Sequence, residues 1–242
     1  MNFSFNNLAN TSFSNNSAQH LRPYEIYPVN LTKIEKTELK GSKDPNASYP
    51  VVALEFTGTG DNKGIFSENI FIPTKDEDFE RRENPNSHKL MTSSFDQFQF
   101  TLMQIVEAIN PAGAQKIKEK LSKLSAKNVR EFADKCVPVF IDAVIKVLDG
   151  KNNVEVYLKL VGRNNNGTVY ARLPNACLIG RSGNPEPLNF ISADSSKLYF
   201  SNYEIGQMKA YKDAKPTKME DVENPDTQEG SDLDLDGIDD IL

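Results

Sequence analysis

The sequence has little of what most catalytic and metal sites are made from. Its 242 residues include no Trp, two His and two Cys. His20 and His88 both lie in loop-like regions, so a His-centred catalytic triad is hard to build, and we expect no enzyme. Cys136 and Cys177 both sit in apolar contexts, which favours two buried free thiols in a reducing compartment. A zinc site would need more Cys or His at close spacing, so we expect no cofactor.

Long apolar runs are also missing. No stretch approaches the roughly 18 apolar residues of a membrane span. The N-terminus lacks the basic start and apolar run of a secretory signal. With 38% hydrophobic residues the chain can still build a core. We therefore expect a cytoplasmic protein with no membrane partner.

Basic residues are absent from the C-terminal segment. Residues 219–242 hold ten of the 34 acids and no Lys or Arg. All 28 basic residues thus lie in 1–218 against 24 acids, so this body carries +4 and the tail −10. Such charge asymmetry indicates an interaction tail, and the basic body leaves nucleic acid open as a partner.

Hydrophobic patterning predicts an α+β, mainly β domain over 21–212 between two disordered ends. Residues 1–20 and 213–242 are too polar to offset the entropy of ordering. Three strands are predicted at about 27–39, 51–56 and 65–72. The segment from Gly58 to Gly64 faintly resembles a phosphate loop, but a strand follows it, which favours a flexible hairpin connection.

The hydrophobic period then changes from two to between three and four, which predicts three helices at about 94–150. Ser94 with Gln97 indicates a capping box at the start of the first helix. The third helix, at 129–148, is predicted to kink near Pro138 and to stop at Gly150.

Alternation returns in two further strands. Their inward-facing residues are predicted to be Val154, Val156, Leu158, Leu160, Val169, Ala171 and Leu173, with a hairpin loop at 163–167. Three strands, a helical segment and two strands is the order of an OB-fold. We therefore predict a five-stranded OB-like barrel with a three-helix insertion between strands 3 and 4. Residues 175–212 are harder to interpret. A short helix or strand near 198–203 and core packing of the late aromatic residues are expected there, namely Tyr199, Phe200, Tyr203 and Tyr211.

The last two strands carry the sharpest binding pattern. Alternation turns Tyr157, Lys159, Tyr170 and Arg172 outward, with Arg163 in the loop. Bases stack on aromatic faces while Lys and Arg neutralise phosphates, so this face suits single-stranded DNA. An ordinary solvated strand face with cross-strand Tyr pairs is the alternative.

The first loop is a second candidate DNA-binding element. Four lysines precede Tyr49, namely Lys33, Lys36, Lys40 and Lys43. Glu35 and Glu38 dilute their charge, so protection of an exposed strand edge by Lys is an equally good interpretation.

The tail ends in an acidic segment with an apolar tip. Asp232, Asp234, Asp236 and Gly237 match the start of an EF-hand loop, but the Glu at position 12 is absent, which argues against specific calcium binding. The remaining interpretations are a partner-recruiting tail and a solubilising tail. For recruitment, we expect the contacts from Asp232, Asp234, Asp236, Asp239, Asp240, Ile241 and Leu242.

An acidic tail closed by Asp239-Asp240-Ile241-Leu242 resembles the tails of single-stranded-DNA-binding proteins. The missing Trp and the missing aromatic residue at the end favour the bacteriophage type over the bacterial one. The resemblance implies a host-cytoplasmic protein that protects single-stranded DNA in replication, recombination and repair. It also implies that the tail docks replication or recombination proteins and competes with DNA for the basic groove. The sequence leaves open whether the chain forms a homo-oligomer.

Two other functions remain open. A phage structural or assembly protein would use the helices as an interaction face and would not bind DNA. An enzyme would need a cleft that gathers acids from separate strands.

Overall fold

The structure, a computed structural model, describes most of the central part of the chain. The described residues are 19–41, 44, 46–61, 63–85, 88, 90–175, 179–181, 184–187 and 200–213. Residues 1–18 of the predicted arm and 214–242 of the predicted tail lie outside this set, as do Lys43, Cys177 and Tyr199.

The fold is α+β, with an open antiparallel sheet packed against helices. The strands are β1 (Glu25–Lys40), β2 (Ser48–Gly58), β3 (Ile65–Phe71), β4 (Glu155–Asn165), β5 (Thr168–Arg172), β6 (Ile179–Arg181) and β7 (Asn184–Pro187). The helices are α1 (Ser94–Ile109), α2 (Pro111–Leu121), α3 (Val129–Glu131), α4 (Val137–Leu148) and α5 (Asn202–Asp213), with a 3₁₀ turn at Asp76–Phe79 and a π turn at Phe132–Cys136.

The strands follow the order β3-β2-β1-β4-β6-β7, and β5 also pairs with β4. β4 pairs with two later strands. Its residues 156–158 pair with β6 and its residues 161–165 pair with β5. Among the described residues no backbone pairing joins β3 to β5. The β2–β3 connection around Gly60 joins two antiparallel strands, as predicted for a hairpin.

A β-bulge at Thr32 sets which side chains of β1 reach the core. Leu31 lies opposite Phe56 and Lys33 opposite Glu55, so Thr32 is the extra residue. Its hydroxyl contacts the Glu55 carbonyl oxygen at 3.2 Å. An added residue reverses the alternation, and Leu31 and Ile34 therefore both pack towards the core.

One hydrophobic core lies between the sheet and the helices. Phe98 of α1 meets Phe140 of α4 edge to face, with ring centroids 6.1 Å apart. Burial confirms the inward prediction for Val156, Leu158 and Leu160, each of which is 0% exposed. The buried Cys136 thiol is free.

Local chemistry fixes the helix ends. The capping box of α1 uses Ser93 and Asp96, one residue earlier than predicted from Ser94 and Gln97. The reason is that Asp96 accepts from Ser93 N–H and also from the Arg81 guanidinium, which holds the pKa of that carboxyl below its usual value. Gly150, with φ +68°, follows α4 as expected of a C-terminal stop.

A π turn lies just before Pro138, where the third helix was predicted to kink. There the Val137 N–H donates to the Phe132 carbonyl, five residues back instead of four. Proline has no N–H to donate and crowds the preceding turn, so a wider turn next to Pro138 relieves the helix. Of the helices in the described part of the chain, none has the length and apolar character to cross a membrane.

Replacing Gly113 by alanine should destabilise the helical layer. A Cβ there would lie 2.2 Å from Val147 Cγ1, and it could not retreat because Asn110 holds Gly113 N–H at 3.0 Å and Val147 O at 3.0 Å. We expect a loss of about 1–3 kcal/mol in the free energy of unfolding, measured by urea titration. The control is Gly206→Ala in α5, where a Cβ meets nothing within 4 Å. Equal effects of both substitutions would contradict this packing.

Candidate nucleic-acid interface

The outer face of the sheet, turned away from the helical core, carries the side chains predicted from β4 and β5. Strand register places Arg172 opposite Val161 and Tyr170 opposite Arg163. Val161 is two residues from Lys159, so Lys159, Arg172, Tyr170 and Arg163 lie on one face, as alternation predicts.

Lys159 is on this face but is not exposed. Its residue exposure is only 2%, and its Nζ lies 3.0 and 3.1 Å from the two carboxylate oxygens of Glu204. The Phe200 ring also covers it, with its centroid 5.6 Å from Nζ. The expectation of an open Lys159 is therefore wrong, because α5 packs over β4 and supplies the counter-charge.

A second contact ties α5 to the sheet near Tyr24. The Tyr24 and Tyr211 rings are 5.5 Å apart, and Tyr24 lies so close to Gly162 that a Cβ there would be 2.5 Å from the ring. Tyr24 adopts φ +62°, an uncommon conformation for a bulky residue. Burial raises the pKa of Tyr24, and the nearby positive charge of Arg172 partly offsets that rise.

The far end of the β4–β5 hairpin is open. Arg163 is exposed, whereas Tyr157 and Tyr170 are partly buried. The predicted loop at 163–167 is shorter in the structure, since only Asn166 and Gly167 separate the strands. Both have positive φ, as the favoured two-residue hairpin turn requires.

An exposed aromatic pair lies on the outer face of the opposite end of the sheet. Tyr49 is 46% exposed and Phe71 50% exposed, and their ring centroids are 6.3 Å apart at 83°. Leu39 lies opposite Tyr49, so its partly buried side chain shares this face. The sequence predicted Tyr49 to be a DNA-binding residue. Phe66 and Phe71 lie on opposite faces of β3 by strand alternation, and the structure buries Phe66.

The lysines of β1 do not gather beside that pair. Lys33 lies on the outer face with Tyr49, whereas Lys36 and Lys40 lie on the opposite face by strand alternation. All three are exposed, and Lys33 Nζ pairs with the exposed Glu35 carboxylate at 2.7 Å. An exposed pair of this kind contributes little and can exchange for a phosphate.

Several predicted site residues cannot be placed, namely Lys43, Asp232, Asp234, Asp236, Asp239, Asp240, Ile241 and Leu242, all of which lie outside the described residues. Conversely, sequence reasoning did not single out Tyr24 or Glu204. Alternation in β1 could have placed Tyr24 near the outer face, but no local signal announces the long-range contact of Glu204.

The arrangement suits binding to flat rings and phosphates. Within the described ranges no group of three His, Cys, Asp or Glu side chains is placed to hold a metal ion. Comparisons of the chain with known protein families, curated proteins and solved structures found no significant match. Its function must therefore be inferred from its own residues.

Proposed function

We propose that the chain is a non-catalytic protein that binds single-stranded DNA without sequence preference through the outer face of its sheet. The observation that carries this proposal is the exposed pair of Tyr49 and Phe71. Two large aromatic side chains in water on neighbouring strands form a platform on which bases can stack. Lys33, the β1 lysine on this same face, is exposed and can neutralise a phosphate of a strand that extends along the sheet.

The topology supports an OB-like interpretation of the domain. The sheet runs β3-β2-β1-β4 with β5 also paired to β4, and helices lie between β3 and β4. This part of the order matches that fold apart from closure between β3 and β5, while β6 and β7 are additional strands beside β4. At the point of closure, the Leu173 N–H donates to the Glu68 carboxylate at 3.2 Å. We infer that this contact replaces the missing strand pairing and that the helices at 94–150 form a three-helix insertion.

The acidic tail gives the protein its second role in this proposal. Ten negative charges compete with DNA phosphates for the basic body, and the apolar tip of Ile241 and Leu242 offers a partner a group to bury. The protein would thus protect single strands in the cytoplasm during replication or recombination and bring repair or replication proteins to them.

Removing the tail should strengthen DNA binding. A labelled poly-dT oligonucleotide is titrated by fluorescence anisotropy with the full chain and with a truncation ending at Lys218, each at low and moderate salt. The truncation should bind more tightly at low salt, with an advantage that shrinks as salt screens the tail. Absence of binding by both proteins would reject the DNA proposal.

A second candidate is a structural or assembly protein of a bacteriophage. Leu124 in the link from α2 to α3 and Val129 at the start of α3 are exposed apolar side chains that a protein partner could cover. Sedimentation of the full chain distinguishes the two functions. Self-association without affinity for poly-dT would favour assembly.

A further inference from the structure

Lys159 and Glu204 form an ion pair between the sheet and α5. Lys159 projects from the outer face of β4, where a lysine would ordinarily extend into water. Instead α5 covers it and supplies both carboxylate oxygens of Glu204, at 3.0 and 3.1 Å. A carboxylate that holds a cation through two oxygens presents the same charge and acceptor geometry as the two free oxygens of a phosphodiester.

The helix that supplies this carboxylate is weakly attached. None of the α5 residues is buried, and Tyr203 is 53% and Ile205 38% exposed. Its described interactions with the sheet are concentrated at two points, the Glu204–Lys159 pair and the Tyr211–Tyr24 ring contact. Elements with little buried apolar surface belong to the low-stability part of a fold, so α5 can open without global unfolding.

The surface beneath α5 contains a hydrogen-bond donor that lacks an acceptor within the described part of the chain. Arg172 lies diagonally across from Lys159 in the strand register, and its buried Nε has no hydrogen-bond acceptor among the residues described. A buried unpaired donor is costly, and a second acceptor group arriving at this face would remove that cost. Lys159, Arg172 and Tyr24 thus form a covered set of two cations and one aromatic ring.

We propose that α5 is a displaceable cover over a DNA-binding surface and that Glu204 occupies the position of a DNA phosphate at Lys159. This inference rests on the proposed function and adds its regulation. Binding of a single strand removes Glu204 from Lys159, releases α5, and exposes Arg172 and Tyr24 to the next nucleotides. The strand then extends from the open Tyr49–Phe71 platform towards β4 and β5.

Glu204→Gln tests the cover with little harm to the helix. Glu204 is the third residue after the Ser201 cap and its N–H donates to Ser201 Oγ at 3.2 Å. Gln can also form such a capping box, while the negative charge and the second acceptor oxygen opposite Lys159 are lost. The matched control is Asp213→Asn, which removes one negative charge from the exposed end of the same helix.

Anisotropy titrations of poly-dT with the full chain should separate the two variants. A closed state that holds about 90% of the molecules weakens apparent binding about tenfold, so Glu204→Gln should bind up to about tenfold more tightly than wild type. Asp213→Asn should stay within about twofold. The slope of log K against log salt should steepen by about 0.7 for each additional phosphate that the variant neutralises. Lys159→Gln added to Glu204→Gln should remove most of the increase in affinity.

Failure of the α5 cover and failure of the proposed DNA binding give different results. Wild-type binding that Glu204→Gln and Asp213→Asn alter equally would overturn the cover and leave the DNA-binding function intact. No binding by any variant at low salt would reject both. Hydrogen exchange provides an independent test. The amides of α5 should exchange faster when the wild type is saturated with poly-dT, and stronger protection on binding would also overturn the cover.

Discussion

Replacing Tyr49 and Phe71 together by alanine is expected to weaken binding of poly-dT by about 2–6 kcal/mol. Stacking of one base on one aromatic side chain is worth about 1–3 kcal/mol, and the two rings offer two stacking positions. On the affinity scale this is a loss of roughly 30-fold or more. The salt dependence should change little, because neither side chain contacts a phosphate through a charge. Fluorescence anisotropy at a fixed salt concentration measures the loss.

Two companion variants make this result specific. Tyr49→Phe keeps the ring and should retain most of the affinity. Leu90→Ala removes another exposed apolar side chain, from the loop before α1, and should have no effect. If the double variant bound poly-dT as tightly as wild type, the bases would not stack at this end of the sheet and the β4–β5 hairpin would become the main contact surface.

Residues that repeat a local rule were predictable from the sequence. Alternation in 154–160 identified the buried side of β4, and the three-to-four-residue period identified α1 and α4. These predictions succeed because the buried face of a strand takes every second residue and the buried face of a helix takes every third or fourth. Many residues therefore contribute to one signal. The face shared by Lys159 and Arg172 follows from the same rule.

The predictions that differ from the structure do so because of contacts between residues far apart in the sequence. The cap of α1 shifts by one residue because Asp96 also binds Arg81, which is 15 residues away. Lys159 was expected in solvent because periodicity describes one strand at a time, whereas its burial depends on Glu204, 45 residues later in the chain. Exposure of a predicted binding residue is therefore a tertiary property.

Phe56→Ala should lower the free energy of unfolding by about 3–5 kcal/mol, a much larger loss than that expected of Phe71→Ala. Phe56 is 0% exposed and its ring lies 6.4 Å from that of Phe66, so truncation leaves a cavity that the sheet and helices cannot refill. Domains of this size are typically stable by about 5–15 kcal/mol, so this variant should unfold at a clearly lower urea concentration.

Phe71→Ala should behave in the opposite way, losing at most about 1 kcal/mol because half of the side chain is already in water and its described ring contact is with Tyr49. The comparison separates two reasons for keeping an aromatic residue in one sheet. Phe56 maintains the fold, whereas an exposed Phe71 adds little to stability and, under the proposed function, serves to stack a base. A large loss of stability in Phe71→Ala would mean that the aromatic pair is structural, and it would remove the observation on which the DNA-binding proposal depends.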